Sequence, residues 1–413
     1  MCLCSCNIID ISDMHTHISD RAKDFLEKKY RYSKSFHTKR SYGYAVNKFE
    51  TFVRRKYGFH VDELFAKFND DSLDPITILD AFFTDLSKEK LQNSSIRIYV
   101  SVAKDFLNSQ GLHIYSEDIK QRFRLPRKEN VYEEGLTKEI LVRILHNSPP
   151  KLQTAILICI SSGMRISELV QLRTSDIDFT ITPTTIRIRK ETTKTRETRF
   201  TSITAEATKS LQDYLRKNFG WNETSKEDYY IFLQTSNDRL SELYARLETC
   251  KAEEKKSILS RIKVLEDANK DRTEEERYFN AVNSARATLE QMLTKVIDSV
   301  PELSKKNENG RNSIHFHAFR AWFKTQVTNA HQSDFAEALM GHKSLKLVYF
   351  RQNAKDRSKV YLEVEPSLTV SDFTKVEESM EEMRTKIDFL TTELDKVKQW
   401  KEMADKYRKI TVI

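Results

Sequence analysis

Ser161-Ser162-Gly163-Met164-Arg165-Ile166-Ser167-Glu168-Leu169 joins an apolar run, Ala155 to Ile160, to the start of a second amphipathic segment. The run reads as a buried helix, and the small residues after it read as a turn. Glycine allows a tight turn that a side chain would strain. An arginine carried on that turn can present its planar fork to a phosphate. Glu168 lies three residues past Arg165, one helical turn, where its carboxylate can hold the fork. An arginine at a helix start is usually a plain surface charge, so Arg165 alone does not define a site.

Two more clusters lie toward the C-terminus. In His315-Phe316-His317-Ala318-Phe319-Arg320-Ala321-Trp322-Phe323, His317 and Arg320 share one face of a helix. Histidine moves protons near neutral pH, and arginine can hold an oxyanion. The histidines lack the cysteine or acidic neighbours of a zinc site. Leu339-Met340-Gly341-His342-Lys343-Ser344 again sets a small residue before a polar one, and Tyr349-Phe350-Arg351 comes shortly after.

Upstream and downstream of these clusters the chain divides. Residues 1–19 are expected to be a disordered leader, and the alternating Cys2, Cys4 and Cys6 match no zinc spacing. Residues 20–126 are expected to form a small helical domain. Tyr42, Val46, Phe49 and Val53 recur at helical spacing, Pro75 opens a second helix, Asn93 or Ser94 a third, and a fourth starts near Ser116. Polar residues 127–135 read as a linker, and 136–370 as a second domain. Within it Ile186 to Arg189 alternate like a strand, with Arg199 to Ile203 as the returning partner. Residues 238–276 carry Leu240, Leu243, Leu247, Ile258, Ile262 and Leu265 amid Lys and Glu, the pattern of an inserted helix or helical hairpin. In 371–413, Val376, Met380, Met383, Ile387, Leu390, Leu394 and Val397 alternate spacings of four and three, the seam of a coiled coil. The expected fold class is mainly α with a small β-hairpin, an α+β arrangement.

Bulk composition agrees. With 8 Gly and 7 Pro in 413 residues, a loop-rich all-β fold is disfavoured. A net charge of +8 favours a polyanionic partner. No apolar run is long enough for a membrane span, and Met1 to Asp10 lacks the basic and apolar regions of a secretion signal. No membrane partner is expected. Five cysteines without a framework suggest a reducing cytoplasm.

Taken in order, the three clusters resemble the tyrosine recombinase, or phage integrase, family, which uses Arg, Lys, His-x-x-Arg, Gly-His and Tyr across a C-terminal domain. The resemblance spans 136 to about 370, with His342 lying 22 residues after Arg320. It implies a helical, SAM-like core-binding DNA-binding domain, then a catalytic domain and a coiled-coil tail. It also implies cleavage and rejoining of DNA at attachment sites through a 3′-phosphotyrosine, with four protomers on the DNA and no cofactor. Localisation would be cytoplasmic, on the nucleoid. Under the resemblance Arg165 and Arg320 clamp the scissile phosphate, Glu168 supports Arg165, and His317 is general base. His342 hydrogen-bonds the phosphate or the tyrosine. Lys190 and Lys194 both qualify as the hairpin lysine, and Lys194, nearer the tip, is the choice. The sequence departs from the family at the nucleophile. The family's tyrosine falls nine residues after the histidine, where this chain has Arg351. Tyr349 is nearest, its Tyr-Phe-Arg similar to archaeal-type integrases, and Tyr361 is the alternative nucleophile. A type IB-like topoisomerase and a non-catalytic DNA-binding protein are the competing readings.

Overall fold

The computed structural model describes residues 18–127, 134–304 except 223 and 226, 306, 312–342, 353–371, and 386–398 except 388 and 395. Its contacts divide the chain into two compact units, 1–132 and 133–413. Cys2, Cys4, Cys6, Lys343, Tyr349, Phe350 and Arg351 lie outside the described residues, as do Val376, Met380 and Met383.

The described residues of the first unit form six helices: α1 (Asp20–Ser33), α2 (Phe36–Tyr57), α3 (Val61–Asn69), α4 (Pro75–Ser87), α5 (Asn93–Ser109) and α6 (Ser116–Arg122). Asp74 caps α4 by accepting from the backbone of Ile76 and Thr77, with Pro75 at the first turn where no N–H is needed. Phe25, Phe49, Phe52, Phe82 and Phe106 build the centre of the core, Phe49 and Phe82 meeting edge to face at 5.3 Å. Helices α1 and α3 were not among those expected. Helix α3 has only nine residues, and α1 buries just Ala22, Phe25 and Leu26, so neither gives a long periodic signal.

In the second unit α7 (Lys138–His146) leads to α8 (Pro150–Ser162) and the short α9 (Ile166–Leu169). Helix α8 is apolar around its whole circumference and sits in the core between α10 (Ala205–Phe219) and α14 (Phe316–Asn329). Strands β1 (Ile177–Asp178), β2 (Thr185–Ile188) and β3 (Arg199–Ser202) form an antiparallel sheet in that order. The β2–β3 register pairs Thr185 with Ser202 and Ile188 with Arg199, and Ile186 and Ile188 point into the core. Strand β1 was not expected, since two residues carry no alternation. Helices α11 (Ser236–Thr249) and α12 (Ala252–Asn269) form a hairpin with a small core of their own, Leu243, Ile258 and Ile262. Helix α13 (Glu274–Ser299), opened by a Thr273–Glu276 capping box, returns the chain to the main core. Helices α14, α15 (Ser333–Met340) and α16 (Ala354–Leu368) follow. The described residues of 386–398 are helical, with Ile387, Leu390, Leu394 and Val397 all more than half exposed. Among the described residues no helix is long and apolar enough to cross a membrane.

Candidate active site

The site begins at the C-terminal end of α8. The last carbonyls of any helix have no partner within it. Here Tyr361 of α16 donates its hydroxyl to Ser161 O at 2.7 Å, and Thr201 of β3 donates to Ser162 O at 2.8 Å. Arg320 of α14 donates through Nη1 to Gly163 O, the next carbonyl. Three elements are thereby fixed to one helix end. Gly163 takes a left-handed conformation at φ 63°, and a Cβ there would collide with the Phe323 ring, so the turn requires glycine.

The turn delivers Arg165 as the residue capping α9, with Glu168 folded back onto it. The Arg165 backbone N–H donates to Glu168 Oε2 at 2.8 Å, and its Nη1 donates to Oε1 at 3.1 Å. Arg199, at the start of β3, donates to the same carboxylate in a bidentate fork at 3.0 and 2.7 Å, and its Nε donates to Leu339 O at 2.8 Å. Glu168 is therefore shared between two arginines and its side chain is 1% exposed. Burial alone pushes its carboxyl up, but the hydrogen bonds and charge of Arg199, with help from Arg165, bring it below the usual range.

Arg320 is 2% exposed and meets this cluster from α14. Its Nη2 donates to Met340 O at 2.8 Å and contacts His342 Nε2 at 3.0 Å. A guanidinium has donors only, so Nε2 accepts, and the His342 proton sits on Nδ1, facing Glu337 Oε2. Gly341 at φ 67° ends α15 in a Schellman turn, with the His342 N–H donating to Glu337 O at 3.1 Å. That turn folds His342 back over its own helix onto Glu337, which Lys324 also pairs. Burial and the neighbouring Arg165 charge pull the Arg320 guanidinium down to about 10. Three guanidiniums around one carboxylate leave an excess of positive charge, and an anion is the group that would relieve it.

The cluster opens on a cavity of about 540 Å³ lined by Arg165, His315, His317 and Arg320 among others. His317 is exposed on its lining, while His315 caps α14, its Nδ1 accepting from the Ala318 N–H at 3.2 Å. Lys194 and Lys190 are both exposed on the β2–β3 loop. The structure thus brings two hydrogen-bonded groups side by side, Arg165 with Glu168 and Arg320 with His342, and sets His317 in the cavity beside them. Tyr361 is different. It is fully buried, its hydroxyl is committed to Ser161 O, and burial holds its pKa well above the ordinary value. Tyr361, the expected alternative nucleophile, is a core residue in this fold.

Sequence reading missed the positioning roles of Arg199 and Glu337. Arg199 is 31 residues from Glu168 along the chain, and nothing local announces the pair. Glu337 had a signal in principle: a carboxylate five residues before the histidine of a Gly-His pair lies where a Schellman turn returns that histidine.

The model of the phage integrase family matches residues 134–263. Tyrosine recombinases XerA of Thermococcus onnurineus and Thermococcus kodakarensis are 29% and 27% identical to this chain over 101 residues, which is 24% of this chain. The match spans 34% of the length of those relatives. Among solved structures, the Tn1549 transposon integrase in complex with transposon right end DNA aligns over 82% of this chain and 98% of its own, at TM-score 0.48 and 14% identity. A lambda integrase tetramer bound to a Holliday junction aligns over 81% and 79%, at TM-score 0.47 and 15% identity. Residues 134–263, which hold the first arginine motif, therefore match the phage integrase family, and over 101 residues the chain is similar to tyrosine recombinases.

Proposed function

We propose that this chain is a site-specific recombinase that cuts and rejoins DNA strands through a 3′-phosphotyrosine, in the integration or excision of a mobile or viral element. The observation that carries the reading is the pairing of Arg165 and Arg199 on one buried carboxylate, with Arg320 close by, beside an open cavity. Arg165 and Arg320 bind the nonbridging oxygens of a phosphodiester and stabilise the charge that builds on phosphorus. Tyr349, seven residues after His342, attacks in line. A bond forms between its oxygen and phosphorus while the bond to the 5′-oxygen breaks. His317 takes the tyrosine proton, and Lys194 gives a proton to the departing 5′-oxygen. His342, oriented by Glu337, holds Arg320 against the phosphate. A 5′-hydroxyl from a second strand then reverses the step. Duplex attachment sites are the substrate, and four copies of the chain act together, joined in part through the tail.

The test is incubation of the full chain with nicked duplexes selected from a random-sequence pool by binding to it, then mass spectrometry of any covalent adduct. The expected result is an adduct on Tyr349, lost in Tyr349→Phe. A duplex that is tightly bound but never joined to the protein would sink strand cutting and leave a DNA-binding protein. Relaxation of plasmids, each cut strand resealed to itself and never joined to a partner duplex, would instead make it a topoisomerase.

A further inference from the structure

The cavity beside the arginine cluster has a second wall that takes no part in the proposed strand cutting. Helix α13 supplies Arg286, Glu290, Leu293 and Thr294, the spacing of one helix face. Arg286 lies near the middle of α13, well away from either helix end, and it is half-buried. Its Nε is buried and has no hydrogen-bond partner among the described residues. Its Nη2 reaches Glu290 Oε1 only at 3.6 Å, beyond a good hydrogen bond. With the cation N-terminal to the acid at i,i+4, the pair also has the weaker orientation along a helix. A buried donor left unmade is costly, and a guanidinium is well suited to a phosphate. Arg286 thus stands on the wall of the cavity that Arg165 and Arg320 also line, with its buried Nε unpaired and only a long contact from Nη2 to Glu290.

A cavity of about 540 Å³ is ligand-sized and has room beyond a single phosphoryl group. Helix α13 is also held firmly. The Tyr278 hydroxyl donates to Gln171 Oε1 at 3.0 Å, and Arg239 of α11 donates to Ser284 Oγ at 3.1 Å. The helix that carries the inserted hairpin is therefore the one that carries Arg286.

We propose that Arg286 is an additional phosphate-binding residue: it holds the phosphate next to the one cradled by Arg165 and Arg320, fixing the register of the strand to be cut. The proposal rests on the recombinase reading for its substrate but not for its binding measurement. The probe is a 40-base-pair duplex selected from a random pool by the full-length protein, with binding measured across a salt series. In Arg286→Gln the slope of log K against log salt is expected to fall by about 0.9, one phosphate contact. Arg286→Lys should restore it. A methylphosphonate at one non-scissile position should weaken the wild type and leave Arg286→Gln indifferent. Equal slopes in wild type and Arg286→Gln, with every methylphosphonate weakening both alike, overturn the assignment, even if wild type forms its tyrosine adduct. A lost contact in Arg286→Gln with no adduct in wild type keeps Arg286 as a phosphate ligand and removes strand cutting instead.

Discussion

The hydroxyl of Tyr361 gives Ser161 O a partner that α8 cannot supply. Tyr361→Phe removes that donor and leaves a buried carbonyl unpaired, a loss of about 1–3 kcal/mol. The expected outcome is a lower urea midpoint with adduct formation intact, because the residue acts through the core. An adduct that disappears in Tyr361→Phe while persisting in Tyr349→Phe would return Tyr361 to the chemistry. Glu168 is the complementary case, a charge kept in the interior because Arg165 and Arg199 share it. Glu168→Gln breaks both pairs and is expected to cost about 3–5 kcal/mol, since two cations remain where one anion stood. It carries a pH signature too. The folded carboxyl lies below its ordinary 4.5, so it releases its proton more readily folded than unfolded. Its contribution is full above 4.5 and is lost as pH falls through the lower folded value. Urea titrations from neutrality down into the acid range should therefore show a shallower acid loss in Glu168→Gln. An acid limb of unchanged steepness would mean that other carboxylates set it.

Among the elements, the α11–α12 hairpin stands apart because Leu243, Ile258 and Ile262 form a core separate from the main one. Replacing residues 240–268 with a short Gly/Ser link should change the stability of the second unit by no more than about 1 kcal/mol, read as the urea midpoint. A collapse of that midpoint would show that α13 depends on the hairpin to stay seated. The hairpin was legible in the sequence because its leucines and isoleucines recur at helical spacing within a polar stretch. So was α8, where an unbroken run from Ala155 to Ile160 can only be buried, and so was the β2–β3 pair, where Ile186 and Ile188 flank Arg187. Strand β1 and helix α3 were not, because they are too short to show a period. At the site, Arg165, Arg320 and His342 were legible as ordered motifs. Arg199 and Arg286 were not, since each owes its place to a partner or a cavity wall distant in sequence. A local pattern reports what a residue does to its own element. It does not report which other element's end that residue will satisfy.

On the scale of the whole molecule, the longest stripe of uncovered apolar positions among the described residues lies in the tail. Ile387, Leu390, Leu394 and Val397 continue the alternating spacing of three and four and are 56–64% exposed. Elsewhere among the described residues, exposed apolar side chains such as Tyr32, Ile98 and Val142 lie on separate helices, and α12 carries two, Leu259 and Val264. A helix that keeps such a stripe in water gains nothing from it, whereas pairing with the same stripe of another copy recovers about 1.5–3 kcal/mol for each large side chain fully covered. The stripe needs no particular DNA sequence to act, so its effect can be measured apart from cleavage. Leu390→Asp combined with Leu394→Asp places charges on the seam while leaving both cores untouched. Sedimentation of the full chain with its selected duplex is expected to give multi-protomer complexes for the wild type and single-protomer complexes for the double variant, with the salt slope per bound protomer unchanged. Multi-protomer complexes that form equally well with the double variant would move subunit contacts to the two folded units, and the seam would then serve some other helix. Loss of single-protomer binding as well would show instead that the tail contributes to DNA contact, which its own lysines, Lys386, Lys396 and Lys398, make a physically distinct outcome.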